Sequence, residues 1–209
     1  MISSTIPYII AVIIFSVTFV IAARALYLYV RVRSPRLFIL GLAMGVIGLT
    51  GAGDFTSMML AARVTLHTDW FLYIGQAISY LFIFLSLVRS QEEYQQSLMR
   101  WHIVFSVAAI CLLLLSPVIP DITIEPLRVA FSGSRCILCF CILLYYALTF
   151  ASKQTRFSLL MSLAFLFLSF GYLIIVQKYF SPQPELLDNV GDLIRMGGFA
   201  ALLIAVIVG

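Results

Sequence analysis

The sequence predicts an all-α integral membrane protein: one domain over residues 1–209, a bundle of seven transmembrane helices with the N-terminus outside and the C-terminus cytoplasmic. Three observations predict it. Hydrophobic residues make up 63% of the chain and charged residues 11%, against about 45–50% and about 25% in soluble domains. Mean hydropathy is +1.10. The chain also divides into seven apolar stretches close to the roughly 20 residues that cross a hydrocarbon core, with basic residues gathered in alternate loops.

The helices are expected at about 7–30, 37–61, 70–89, 101–119, 126–151, 157–180 and 187–208. The first starts from "MISSTIPYII", which has no basic leader and no small-residue cleavage site, so it reads as a retained helix. Helix 2 follows "RVRSPR" and is rich in glycine: Gly41, Gly45, Gly48, Gly51 and Gly53. Gly41 and Gly45 have the spacing that lets helix backbones approach closely in lipid, and intramolecular packing is expected there. Local unwinding at Gly51–Asp54, as in transporter helices near substrate, is a weaker expectation. Helix 3 begins at "DWFLYIGQ", and Arg89 and Arg100 flank the loop to helix 4. Helix 5 enters near Pro126, helix 6 follows "SKQTR", and helix 7 follows "SPQPELLDN".

Arg31, Arg33, Arg36, Arg89, Arg100, Lys153 and Arg156 all fall at one side, while the opposite loops are acidic or neutral. The positive-inside tendency makes that side cytoplasmic, most simply in a bacterial plasma membrane. The net charge of +4 comes from these anchors, so the partner it implies is the lipid bilayer and not nucleic acid.

Depth then follows from the 1.5 Å rise per residue: Arg135 of "SGSRCILCFC" lies roughly 13 Å, and Asp54 of "GAGDFTS" roughly 10 Å, below the outer surface. Matching depth makes Asp54 and Arg135 the first candidate ion pair. Asp192 and Arg195 are three apart on helix 7 and share a turn. Gln76, Ser169 and Tyr172 fall in the same outer half, while Arg24 is near enough to the cytoplasmic end to snorkel. The expected ligand site is therefore Asp54, Gln76, Arg135, Tyr172, Asp192 and Arg195, with a charge-balanced core of two aspartates and two arginines. An arrangement that only fixes helix register is the competing reading.

Cys111, Cys136, Cys139 and Cys141 read as small apolar residues buried in the spans, without a disulfide. His67 and His102 lie toward opposite sides, so no metal site is expected. No catalytic motif is present, and no cofactor or enzymatic activity is expected. A faint internal repeat pairs "RLFILGLAM" from Arg36 with "RFSLLMSLAF" from Arg156, and "DWFLYIGQ" from Asp69 with "DNVGDLIR" from Asp188. It suggests two parallel three-helix halves joined by helix 4.

In its seven short-looped spans the whole chain resembles the seven-helix sensory input modules of bacterial receptors, which precede histidine kinases or diguanylate cyclases. It is also similar in layout to microbial rhodopsins and to seven-helix sugar transporters of the SWEET class. Against retinal, helix 7 "GDLIRMGGFAALLIAVIVG" has no lysine; against the transporter motif, Pro182 and Gln183 fall in a loop; against haem, paired histidines are missing. The sensory resemblance implies a receptor that binds a small polar or anionic ligand through Arg135 and Arg195. It would signal to a cytoplasmic partner or C-terminal extension, since "LIAVIVG" carries no output domain. A subunit of a larger membrane complex and a small-solute transporter are the alternatives.

Overall fold

The computed structural model describes residues 6–60, 66–89, 91–120 and 122–208, so the first five residues and the expected end of helix 2 at 61 lie outside it. Seven helices build the described chain: α1 (Ile6–Val32), α2 (Pro35–Leu60), α3 (Asp69–Val88), α4 (Glu92–Leu114), α5 (Glu125–Lys153), α6 (Arg156–Gln177) and α7 (Pro184–Val208). One 3₁₀ turn, Lys178–Phe180, extends α6. All seven are long and apolar enough to cross a membrane.

The helices close a ring. Going round it, α1 packs on α2, α2 on α3, α3 on α5, α5 on α6, α6 on α7, and α7 back on α1, while α4 stands outside against α2 and α3. The main core draws on all six ring helices and on none of α4. It includes Ile21, Met44, Tyr80, Ile142, Phe165 and Phe199, each almost completely buried. Two satellite clusters attach α4, one joining Leu98 to Ile39 and Phe82, the other joining Ala109 to Val46 and Phe71.

The order of contacts in the ring is the same in α1–α3 as in α5–α7, while α4 packs only on the first of these sets. The turns agree as well. Arg33 and Gln154 both have left-handed backbone, φ 57° and 50°, and each amide bonds the carbonyl four residues back, on Tyr29 and Phe150. That is a standard helix C-terminal closure. One hydroxyl residue, Ser34 or Thr155, then precedes the next helix, which begins at Pro35 or Arg156. Matched this way, Pro35 rather than Arg36 corresponds to Arg156, one residue from the register the sequence suggests.

Close backbone approach occurs at two interfaces. A Cβ on Gly41 would sit 2.8 Å from Leu26 and one on Gly48 2.9 Å from Thr18, both within the α1–α2 contact. Between α6 and α7 the fit is tighter: a Cβ on Gly171 would lie 2.5 Å from Arg195 Cγ and 2.8 Å from the Gly191 carbonyl. The glycines of α2 thus serve packing within the chain. The helix stays continuous through Gly51–Asp54, which corrects the expected unwinding.

Helix 4 is the other correction: it spans Glu92–Leu114 and not 101–119. The polar run "EEYQQS" is helical because it does work at both ends. Glu92 and Glu93 complement the positive end of the helix. Gln95 donates to the Ser86 carbonyl at 2.7 Å and to that of Arg89, covering acceptors left open where α3 ends. Arg100 therefore stands inside α4 and does not flank a loop. The far end stops before Pro117, which cannot continue a helix.

The α4 face turned to the bundle carries Gln95, Leu98, His102, Ser106 and Ala109. His102 is fully buried and stacks on Phe82, with ring centroids 4.4 Å and planes 4° apart. Neither ring nitrogen has a hydrogen-bond partner among the described residues. Burying unanswered polar atoms costs about 1–3 kcal/mol. His102→Phe keeps the stacking and removes the nitrogens, so it is expected to raise stability by about that amount in detergent unfolding. A loss of stability would show that the nitrogens are engaged.

Candidate functional site

A cavity of about 840 Å³ opens at the end of the bundle formed by segment 66–68 and the Lys178–Phe180 turn. The connection after α4 joins the same end, since His67 N–H donates to the Ser116 carbonyl at 3.1 Å and Trp70 Nε1 to that of Pro120 at 2.9 Å. Each ring helix contributes to the cavity. From α1 come Ile10, Ala11 and Ile14, an apolar strip; the other helices bring most of the polar groups.

The floor is a hydrogen-bonded network centred on Gln76 of α3. Its Nε2 donates to Thr50 Oγ1 of α2 at 2.9 Å, and the Thr50 hydroxyl donates on to the Ile47 carbonyl at 2.7 Å. Gln76 Oε1 accepts from an Arg135 terminal nitrogen at 2.6 Å and from the Tyr172 hydroxyl at 2.9 Å. The Tyr172 and Tyr80 hydroxyls are 3.2 Å apart. Arg135 reaches Gln76 because it stands on α5, the neighbour of α3 in the ring.

Arg135 is only 2% exposed. A second terminal nitrogen donates to Ser132 Oγ at 2.9 Å, one turn back on α5. The guanidinium also lies over two aromatic faces, 4.7 Å from the Tyr73 centroid and 4.9 Å from that of Tyr172. A desolvated contact of this kind contributes on the order of 2 kcal/mol. Tyr73 is in turn fixed by a 2.9 Å hydroxyl contact with Tyr179 and by stacking on Phe131. Arg135 Nε has no hydrogen-bond partner among the described residues.

The second arginine is held differently. Arg195 donates to Asp192 at 2.6 Å within α7 and lies 4.5 Å from the Tyr172 centroid, so both guanidiniums share that ring. Its Nε is also without a hydrogen-bond partner among the described residues. Asp54 accepts a 3.3 Å hydrogen bond from the Thr68 hydroxyl.

Of the six residues singled out in the sequence, Asp54, Gln76, Arg135, Asp192 and Arg195 line this cavity together. Tyr172 lies beneath the floor, fully buried. The expected Asp54–Arg135 pair does not form. In the ring α3 stands between α2 and α5, and its Gln76 takes the place of the carboxylate. The four-charge cluster thus reduces to one ion pair, Asp192–Arg195. Ser169 is buried, and its carbonyl accepts from Cys136 Sγ at 3.5 Å.

The sequence reading missed Thr50, Tyr73, Tyr80 and Ser132. Tyr73 and Ser132 had a signal, for each stands three residues before the polar residue on its own helix. The cysteines carry free thiols, and Cys139 is fully buried, but Cys111 is exposed on α4. That corrects its expected burial: α4 has only one face against the bundle. Below the floor the centre of the ring is filled by the apolar core. Compared with protein families, with curated proteins and with solved structures, the chain gives no match.

Proposed function

We propose that this chain is a membrane sensor module that binds a small polar or anionic ligand in the cavity and passes the event to a signalling partner. Arg135 carries the proposal. A buried guanidinium with hydrogen bonds and aromatic faces but no carboxylate, at the floor of an accessible cavity, is stabilised by an arriving anion. The volume is in the range of small-molecule sites, roughly 300–1,000 Å³. In this reading the cavity faces outward and the basic end meets a cytoplasmic partner in a bacterial plasma membrane.

Transmission has a route in the same residues. Thr50, Gln76, Arg135 and Tyr172 tie α2, α3, α5 and α6 together. A ligand that draws Arg135 from Gln76 loosens one member of this set, and helix displacements of about 1–2 Å are typical of such switches.

The test uses the two tryptophans. Trp101→Phe leaves Trp70, at the start of α3 beside the cavity wall, as the sole indole. Titration with phosphate, acetate and the proteinogenic amino acids should give a saturable emission change for at least one probe, lost on adding Arg135→Gln. Spin labels at Ser34 and Gln154, in the turns at the opposite end, should then report a shifted distance. Binding without that shift would remove the signalling half of the proposal.

A small-solute transporter is the second reading, favoured by the two matched halves of the ring. Accumulation of the bound probe in sealed vesicles would select it.

A further inference from the structure

Charges around the cavity are largely matched. Lys178 Nζ donates to both Asp188 oxygens at 2.9 Å, Arg128 holds Asp69 at 3.1 Å, and Arg195 holds Asp192 at 2.6 Å. Glu185 is exposed at the rim. Apart from that exposed carboxylate, two groups are left without an ion pair among the described residues: Arg135 at the floor and Asp54 on the α2 wall. One is a guanidinium and the other a carboxyl group. A simple anion would answer Arg135 and leave Asp54; a simple amine would do the reverse.

We propose that the cavity takes a zwitterion, its carboxylate or comparable anion on Arg135 and its ammonium on Asp54, free α-amino acids being the simplest such class. This rests on the reading of the cavity as a ligand site and adds the chemistry of what fills it. The Arg135 end is built for recognition: the guanidinium is buried, oriented by Gln76 and Ser132, and keeps Nε unpartnered. At the other end Asp54 lines the α2 wall, its carboxyl met only by the Thr68 hydroxyl at 3.3 Å among the described residues. Ile10, Ala11 and Ile14 of α1 offer an apolar surface for a side chain. The two charged groups set the ligand's orientation, and α1 is the wall that discriminates among side chains.

The full chain in lipid nanodiscs is titrated with three matched series: alanine with propionate and ethylamine, leucine with isocaproate and isoamylamine, phenylalanine with hydrocinnamate and phenethylamine. In at least one series the amino acid should bind on the order of tenfold or more tighter than either relative, the size of a hydrogen bond to a charged group. Asp54→Asn should abolish that preference, bringing each amino acid down to the affinity of its matched carboxylate. Carboxylates that bind as tightly as their amino acids would overturn the zwitterion but keep an anion site. Amines that bind best would overturn the role given to Arg135. If no member of any series binds the unmodified chain, both this inference and the ligand-site reading fail. The comparison among probes on the unmodified chain decides the matter even if the Asp54 variant does not fold.

Discussion

Replacing Gln76 by Leu and Arg135 by Met together is expected to cost about 1.5–3 kcal/mol less than the sum of the two single changes. Gln76→Leu should be the worse of the pair. It strips the 2.6 Å hydrogen bond from a cation that is 2% exposed and leaves it only Ser132 and two tyrosine faces. An under-satisfied buried charge is among the costliest defects, about 3 kcal/mol or more. Arg135→Met is milder, since Gln76 Oε1 still accepts from Tyr172. In the double variant no charge remains to be under-satisfied, and that is the source of the coupling. The same cycle on Asp54→Asn and Arg135→Met should be additive within about 0.5 kcal/mol, because no ion pair joins them. Reversible unfolding in mixed micelles measures all of these. Additivity in the first cycle with coupling in the second would reverse the assignment of Arg135's partner.

Gly171→Ala and Gly191→Ala are expected to destabilise the bundle by about 1–3 kcal/mol each, and Gly133→Ala to change it by no more than about 0.5 kcal/mol. The contrast tests packing with one chemical change. A methyl on Gly171 meets Arg195 Cγ at 2.5 Å and the Gly191 carbonyl at 2.8 Å; one on Gly191 meets Ile175 at 2.6 Å and the Gly171 carbonyl at 2.9 Å. Backbone atoms on the other side cannot step aside, so the helices must separate. Gly133 has nothing within 4 Å of its Cβ position. Helices pulled apart in a bilayer remain helical, which removes most of alanine's propensity advantage from the comparison. If the cavity binds the proposed ligand, Gly171→Ala should also weaken that binding, since it displaces Arg195 directly. If it proves as mild as Gly133→Ala, the close approach of α6 and α7 is not what holds Arg195 in place.

The bundle and the polar layer were legible in the sequence for a simple reason: apolar runs and the rare charges within them are one-dimensional signals. Depth along a helix is also one-dimensional, and it grouped Asp54, Gln76, Arg135, Asp192 and Arg195, which line one cavity. The angle around a helix axis is not, and here the reading failed. Two residues at one level pair only if their helices are neighbours, and nothing in the chain order says that α3 separates α2 from α5. The extent of α4 was hidden for a related reason. "EEYQQS" reads as loop until Gln95 is seen to answer carbonyls on another helix. Aromatic partners such as Tyr73 were lost among 29 aromatic residues, 17 Phe, 10 Tyr and 2 Trp.

Holding Arg135 with aromatic faces has a consequence at long range. An ion pair cancels a charge, so that little of its field survives a short distance away. Tyrosine rings act through quadrupoles, and a quadrupole's potential decays far faster than that of a net charge. At the rim of the cavity the two rings have faded and the guanidinium has not. In the low-dielectric surroundings of a bundle such a field is focused along the opening instead of being screened away. With the Asp54 carboxyl on the α2 wall, a dipolar molecule entering the opening would be turned before it touches either group.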